Sequence, residues 1–562
     1  MLLNYKHIFI ISLLGVLLAG CSGGDISISP VTTDNSQDNS TTTTNIEQEA
    51  EEVVNPCASY TKDGNTFQGQ YDGVDCDYSA VFVDSGNPLT VDLLINDLAN
   101  DGVHNFAGSL VVGQSATIAE LTAAGITKGG DGPKLSIEAG ATLAFPSAQQ
   151  FVSIVRGSQM VAVGTAEAPI TFTSQSDVAA QRGTGTLAFN AVGEWGGMLI
   201  NGFGITNKCS YTGSAGSLTM ASDCNVSTEG LTGNDETFHG GDNNEDNSGR
   251  LEYVVVKHTG AQVGEGNEIN GITWGAVGSN TIVKNIQTYS TLDDGIEFFG
   301  GAVNIENFVS VYANDDSIDL DTGWSGTITN ALVIQNEALG NSCIESDGIG
   351  SYSSKSAETV AAMIAQGINT KPTIKNLTCI VSGQDANTGD RGEGAGVRFR
   401  EAIDPILTDS MIVMAFSSDD ADTTNYCLRI DNTETAEGFT TAGRQSLFTN
   451  VIFACKDKTK GIASIGGLSI EEYFEANGAL FADGVVSNDD PTATSNTQLV
   501  ILEGTPPIYS VATESMVVND AAVTMTPASG RIGALSTAAT DWTAGWTYGI
   551  HEGSRGAPLW FE

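Results

Sequence analysis

Ile282-Val-Lys-Asn285 through Leu292-Asp293-Asp294-Gly295-Ile296-Glu297-Phe298; Val303-Asn304-Ile305-Glu306-Asn307 through Asn314-Asp315-Asp316-Ser317-Ile318-Asp319-Leu320; Thr327-Ile328-Thr329-Asn330-Ala331 through Cys343-Ile344-Glu345-Ser346-Asp347: these three lines, laid one under another, decide the fold. Asn285 to Asn307 is 22 residues, Asp293 to Asp315 is 22, and Asn307 to Asn330 is 23. Asn376 follows Asn330 by 46, twice that last interval. A constant interval of this size marks stacked units that bury their apolar faces on one another. Short β-rich runs with Asn, Gly and Asp at the corners predict an all-β chain, a right-handed parallel β-helix with small capping segments and short helical insertions.

In such a stack, equivalent residues of successive coils lie about 4.8 Å apart, and side chains alternate inward and outward. Ile296, Ile318 and Ile344 take the inward row, so Glu297, Asp319 and Glu345 take the outward one. Gly396-Val397-Arg398-Phe399-Arg400 and Cys427-Leu428-Arg429-Ile430 have the same form and extend that row to Arg398 and Arg429. The row starts acidic and ends basic. With Arg400 beside it, it supplies the candidate ligand-binding residues, and the same side chains, Arg400 apart, are the catalytic candidates. Asp293 and Asp294 stack on Asp315 and Asp316. Two carboxylates at this spacing repel by about 1 kcal/mol in water and more when partly desolvated. A proton, a bound cation or rotation into solvent relieves the repulsion. A hard cation such as calcium, held by carboxylate oxygens of successive coils, is therefore the candidate metal. The competing reading makes Asp-Asp-Gly and Asn-Asp-Asp plain turns, each Asp accepting from local backbone N–H groups.

The rest of the chain fits an exported protein. Lys6 and His7 precede an apolar run, Ile8 to Leu18, too short for an ordinary membrane-spanning helix. Leu18-Ala19-Gly20-Cys21 resembles the bacterial lipobox. That resemblance implies cleavage before Cys21 and its lipidation. With Ser22 rather than Asp next, it implies an outer-membrane anchor, facing either the surface or the periplasm. Residues 22–55 lack basic side chains and nearly all large apolar ones, the composition of a disordered acidic tether. Eight further cysteines without a CxxC spacing predict four disulfides in an oxidising compartment. Eight cysteines allow 105 connectivities, among which the sequence alone does not choose; locality suggests Cys57–Cys76, Cys209–Cys224, Cys343–Cys379 and Cys427–Cys455. The net charge of −45, from 23 Lys and Arg against 68 Asp and Glu, excludes nucleic acid as a partner. A polyanionic glycan would need bridging cations or a local basic patch.

Residues 56–108 are expected to form a disulfide-bearing N-terminal cap, 109–470 the β-helix and 471–562 a C-terminal capping region whose Trp542, Trp546 and Trp560 cover the last coil, with a Trp-lined sugar platform as the alternative. Short helices are expected at 116–124, 356–366 and 470–476. The stretch 208–248 interrupts the repeat and carries an oxygen-rich loop, Asn234 to Gly249, read as a solvated acidic loop with calcium as the alternative.

Ile137-Glu-Ala-Gly-Ala-Thr-Leu-Ala-Phe145, Gly164-Thr-Ala-Glu-Ala-Pro-Ile-Thr-Phe-Thr-Ser174 and Glu194-Trp-Gly-Gly-Met-Leu-Ile-Asn-Gly202 resemble the opening coils of bacterial β-helix proteins. The whole resembles tethered surface lipoproteins of pectin-lyase-like fold. That resemblance speaks for the architecture and not for an activity; the first expectation is a protein that binds a polysaccharide or other surface polymer, with calcium assisting. It leaves open a polysaccharide lyase or glycoside hydrolase, and a lipoprotein partner of an outer-membrane transporter. The polygalacturonase-type Gly-His-Gly and the Arg-Pro-Arg signature of pectate-type lyases are both missing.

Overall fold

Asn285, Asn307, Asn330 and Asn376 all hold a left-handed backbone, with φ of 53°, 64°, 59° and 55°. Asn tolerates this conformation better than most residues. Each turns its strand through a corner, and the side chains stack. Asn307, Asn330 and Asn376 each donate from Nδ2 to the Oδ1 of the preceding Asn at 2.8 Å. This ladder runs up one edge of a parallel β-helix in a computed structural model. The structure describes residues 55–562 except 232, 261, 265–266, 383–394, 416–424, 456, 483–500 and 519–520. The signal-like segment with Cys21, and the tether up to residue 54, lie outside the described residues.

Among the described residues, two long sheets wrap the core. One has ten parallel strands in the order of the coils, from Leu110–Val112 through Ile272–Gly275, Ile296–Phe299, Ile318–Asp321, Ser342–Ser346, Ala395–Phe399 and Tyr426–Ile430 to Asp457–Gly461. The other, of sixteen strands, bends at the Asn corners into two flanks. Met198, Ile272, Ile296, Ile318, Ile344, Val397 and Leu428 form one inward row, all fully buried. Inside the helix Phe145 stacks on Trp195, and Phe298 packs against Trp324 with the rings tilted. Glycine follows Asp294 because a Cβ at Gly295 would lie 2.5 Å from the Ser317 carbonyl oxygen of the next coil.

All four expected disulfides are present. Cys343–Cys379 and Cys427–Cys455 cross the interior, joining the ten-stranded sheet to the flank. The expected helices lie at Ile118–Ala123, Ala357–Gln366 and Ile470–Ala476, and two more at Gln175–Gln181 and Thr433–Thr440. Parallel pairing begins earlier than residue 109, where Cys76–Tyr78 pairs with Val103–Phe106, and it ends at Ala479–Ala482, beyond residue 470. The N-terminal cover is smaller than 56–108: a hairpin, Ser59–Lys62 with Asn65–Gln68, whose Tyr60 packs against Phe82 over Tyr78.

The terminal aromatics do not cover the last coil. That work falls to helix Ile470–Ala476, whose Phe474 stacks on Phe448. The segment 501–562 lies along the flank instead. It buries the outward row Tyr289–Val311–Ile334–Ile380–Val413–Ala454 under Ile508, Ile532 and Ile550. Tyr548 exchanges two hydrogen bonds of 2.7 Å with the Gln287 amide, and Trp560 donates to the Gln335 carbonyl. The outward row here is apolar, so it needs a cover, and the aromatic tail supplies it.

Candidate functional site

On the ten-stranded sheet the outward row reads Val111, Ser153, Leu199, Thr273, Glu297, Asp319, Glu345, Arg398, Arg429, Lys460. The repeat therefore brings Glu297, Asp319, Glu345, Arg398 and Arg429 into a single line, with Arg398 meeting Glu345 through a 2.6 Å ion pair. A second outward row beside it carries Phe299, Asp321, Asp347 and Arg400. Arg400 bonds Asp347 and also reaches Glu345 at 3.2 Å.

The acidic half of the row points away from the core but is not washed by solvent. Glu297 is 8% exposed, Asp294 6% and Asp316 3%. The stretch 202–248 accounts for part of the cover. Two hairpins and the Cys209–Cys224 disulfide shape it. The buried Arg156 pins it by donating to the carbonyls of Cys224 and Gly240 and to Asn225 Oδ1. His239 of this insertion stacks on Phe299. Its oxygen-rich loop is built into the fold: Asp246 is 1% exposed and accepts from the Gly129 and Phe203 N–H groups, while Asn244 accepts from Ile205.

Under this cover the carboxylates gather in three overlapping groups: Asp293, Asp294 and Asp315; Asp294, Glu297 and Asp319; Asp316, Asp319 and Glu345. Within each group one oxygen per residue lies within 4.8 Å of the others. Oxygens bound to one calcium ion at about 2.4 Å can be no more than about 4.8 Å apart, and each group meets that limit. The turn reading holds in altered form. Asp294 Oδ1 accepts from the N–H of Asp316, and Asp316 Oδ1 from that of Ser342, in each case across to the next coil rather than within the turn. Other oxygens have no donor. Asp319 Oδ1 is enclosed with no hydrogen-bond partner among the described residues. So is Oδ1 of Asn270, whose Nδ2 donates to Glu297 at 2.5 Å. Enclosed acceptor oxygens among carboxylates suit a hard cation.

The electrostatics point the same way. Burial, reinforced by Asp293 and Asp316, drives Asp294 well above the usual carboxylate range. Burial with Glu229 does the same to Glu297, and burial with Glu297 to Asp319. Burial and Asp315 push Asp293 up to about 7; burial and Asp347 push Asp321 to about 7. Glu345 is raised less because Arg400 and Arg398 oppose its burial. Without a cation, the middle of the row keeps its protons to higher pH than ordinary carboxylates do.

The basic half is engaged. Arg398 is shared between Glu345 and Asp431, and Arg429 bonds Asp431 and the Tyr426 hydroxyl. Sequence reasoning missed Asn270, Glu229, Asp321 and Asp347. Asp321 and Asp347 follow Asp319 and Glu345 by two residues, so the strand period alone would have placed them on the same face. Glu229 and Asn270 reach the row from irregular segments that carry no such signal.

A family model described as a pectate-lyase like β-helix domain matches residues 111–547. No curated protein and no solved structure matches the chain.

Proposed function

The chain belongs to the family of pectate-lyase-like β-helix domains, and from that premise we propose that it is an outer-membrane lipoprotein, anchored through Cys21, that binds a polysaccharide or similar surface polymer along the ten-stranded sheet with calcium assisting. The observation that carries the reading is the group Asp294, Glu297 and Asp319, with one oxygen of each within 4.8 Å of the others and Asp319 Oδ1 enclosed without a hydrogen-bond partner among the described residues. Asp294, Glu297, Asp319 and the Asn270 amide would hold the ion. It would supply positive charge to an acidic surface and a bridge to polymer oxygens. Arg398 and Arg429 follow two and three coils beyond Asp319, each paired with carboxylates, so the row offers a cation-bridged end and an ion-paired end.

A lyase would need one of these arginines as a proton acceptor. Arg398 and Arg400 are tied to carboxylates, which favours the binding reading. The test is retention of the chain on an immobilised polysaccharide panel, with calcium and with chelator, together with terbium luminescence to count ions. Calcium-dependent retention lost in Glu297→Gln/Asp319→Asn supports the proposal. Retention that ignores both chelator and variant sinks it. Release of unsaturated ends would establish the lyase instead.

A further inference from the structure

We propose that the flank of the β-helix carries a second binding site, a groove that takes a short neutral oligosaccharide, where the C-terminal segment stops covering the sheet. The groove has a volume of about 780 Å³. Its floor is one outward row, Val103–Thr142–Thr171–Val255, one residue per coil. Beyond Val255 the same row continues as Gln287, Val309 and Leu332 and lies under the tail. In the open groove this row sets two threonines between two valines, and the roof begins at Gln287, under Trp546–Tyr548. A second row beside it changes from apolar to polar at the same place. Tyr289 and Val311 are roofed, while Thr173 and Lys257 lie in the groove.

The chemistry of the lining selects the ligand. The hydroxyls of Thr142 and Thr171 have no hydrogen-bond partner among the described residues, and each both donates and accepts. The walls add Asp101, Glu167 and Gln181, groups that pair with vicinal hydroxyls. A polyanion is disfavoured because both cations in the groove are already neutralised. Arg182 is held by Asp75 at 2.5 Å and Lys257 by Asp177 at 2.6 Å. Lys257 also sits 4.1 Å from the centre of the Tyr548 ring, so that ring face is taken and recognition falls to hydrogen bonds. The volume is in the range of about 300–1,000 Å³ that holds small organic ligands, enough for two or three sugar rings. This site lies on a different sheet from the carboxylate row and needs no cation.

The test uses the full-length chain in detergent with cellotriose, xylotriose and maltotriose as probes. Saturation-transfer NMR detects binding and calorimetry measures it. Binding of at least one trisaccharide is expected, unchanged by chelator and weakened at least about tenfold by Thr171→Trp, which fills the groove. Thr171→Val removes only the hydroxyl and guards against misfolding; it should weaken binding with the melting temperature unchanged. The proposal is overturned if none of the three binds at millimolar concentration, if chelator abolishes binding, or if well-folded Thr171→Trp binds as before. Preference for a cationic amino-sugar trimer over all three neutral ones would also overturn it.

Discussion

Two like-on-like stacks climb this β-helix with nearly the same step, and they have opposite fates. Asn285, Asn307, Asn330 and Asn376 stack amide on amide; Glu297, Asp319 and Glu345 stack carboxylate on carboxylate. An amide carries a donor and an acceptor, so every member satisfies the next and the stack closes on itself. An ionised carboxylate only accepts, so its stack supplies no donors of its own, must borrow them from Asn270, Arg398 and Arg400, and accumulates charge. One backbone geometry thus yields a structural ladder in one place and an unsatisfied one in the other. A repeat that can satisfy itself is scaffold, and one that cannot points to a proton, an ion or a ligand.

The strongest way to break this comparison is to damage the closed stack. Asn330→Val removes two amide hydrogen bonds at about 1 kcal/mol each and forces a β-branched residue into a left-handed backbone at about 1–2 kcal/mol, a loss of roughly 3–4 kcal/mol in urea unfolding. Next comes filling the open stack. Calcium about 100-fold above its dissociation constant should raise unfolding free energy by about 2.7 kcal/mol, and Asp294→Asn/Asp319→Asn should abolish that gain. The same shift undiminished in the double variant would place the ion elsewhere.

Acidity tests the open stack without any ion. Asp293 and Asp321 sit near 7 in the folded chain against an ordinary 3.8. The folded state therefore holds protons that the unfolded chain has released. In chelator this contribution is fully present below pH 3.8 and is lost as pH rises towards about 7. Burial keeps His239 neutral down to about 3, which acts in the opposite sense below 6.5, so the readout is the difference between native chain and variant. Asp321→Asn should flatten the decline, by on the order of 4 kcal/mol across the window. Asn330→Asp sharpens the comparison from the other side. An acceptor-only group in the closed stack should make that variant less stable at neutral than at acid pH, by about 1 kcal/mol. The smallest effect belongs to Glu345→Gln, which leaves Arg398 with Asp431 and should cost no more than about 1 kcal/mol.

The same contrast governs how much the sequence discloses. The 22- and 23-residue steps set the register, so the interval alone aligns Glu297, Asp319 and Glu345. Arg398 and Arg429 follow from the shared Gly-Val-Arg-Phe and Cys-Leu-Arg-Ile form. The four cysteine pairs lie close enough in sequence to be paired. Burial of the row is not legible, because Glu229, Asn270 and His239 reach it from segments with no period. The path of the tail is hidden for a related reason. Its aromatics mark an apolar cover, but nothing local says whether the cover lies over an end or a side.

That tail changes how the molecule should come apart. Stacked coils that touch only their neighbours can fray from either end, one rung at a time. Here Ala534 is bonded to Thr378, Tyr548 to Gln287 and Trp560 to Gln335, so one strip of chain fastens rungs up to three coils apart. No rung between them can loosen without first peeling the strip. The β-helix should therefore melt in one sharp step, and cutting the chain after Ala482 should turn that step into a broad, progressive one.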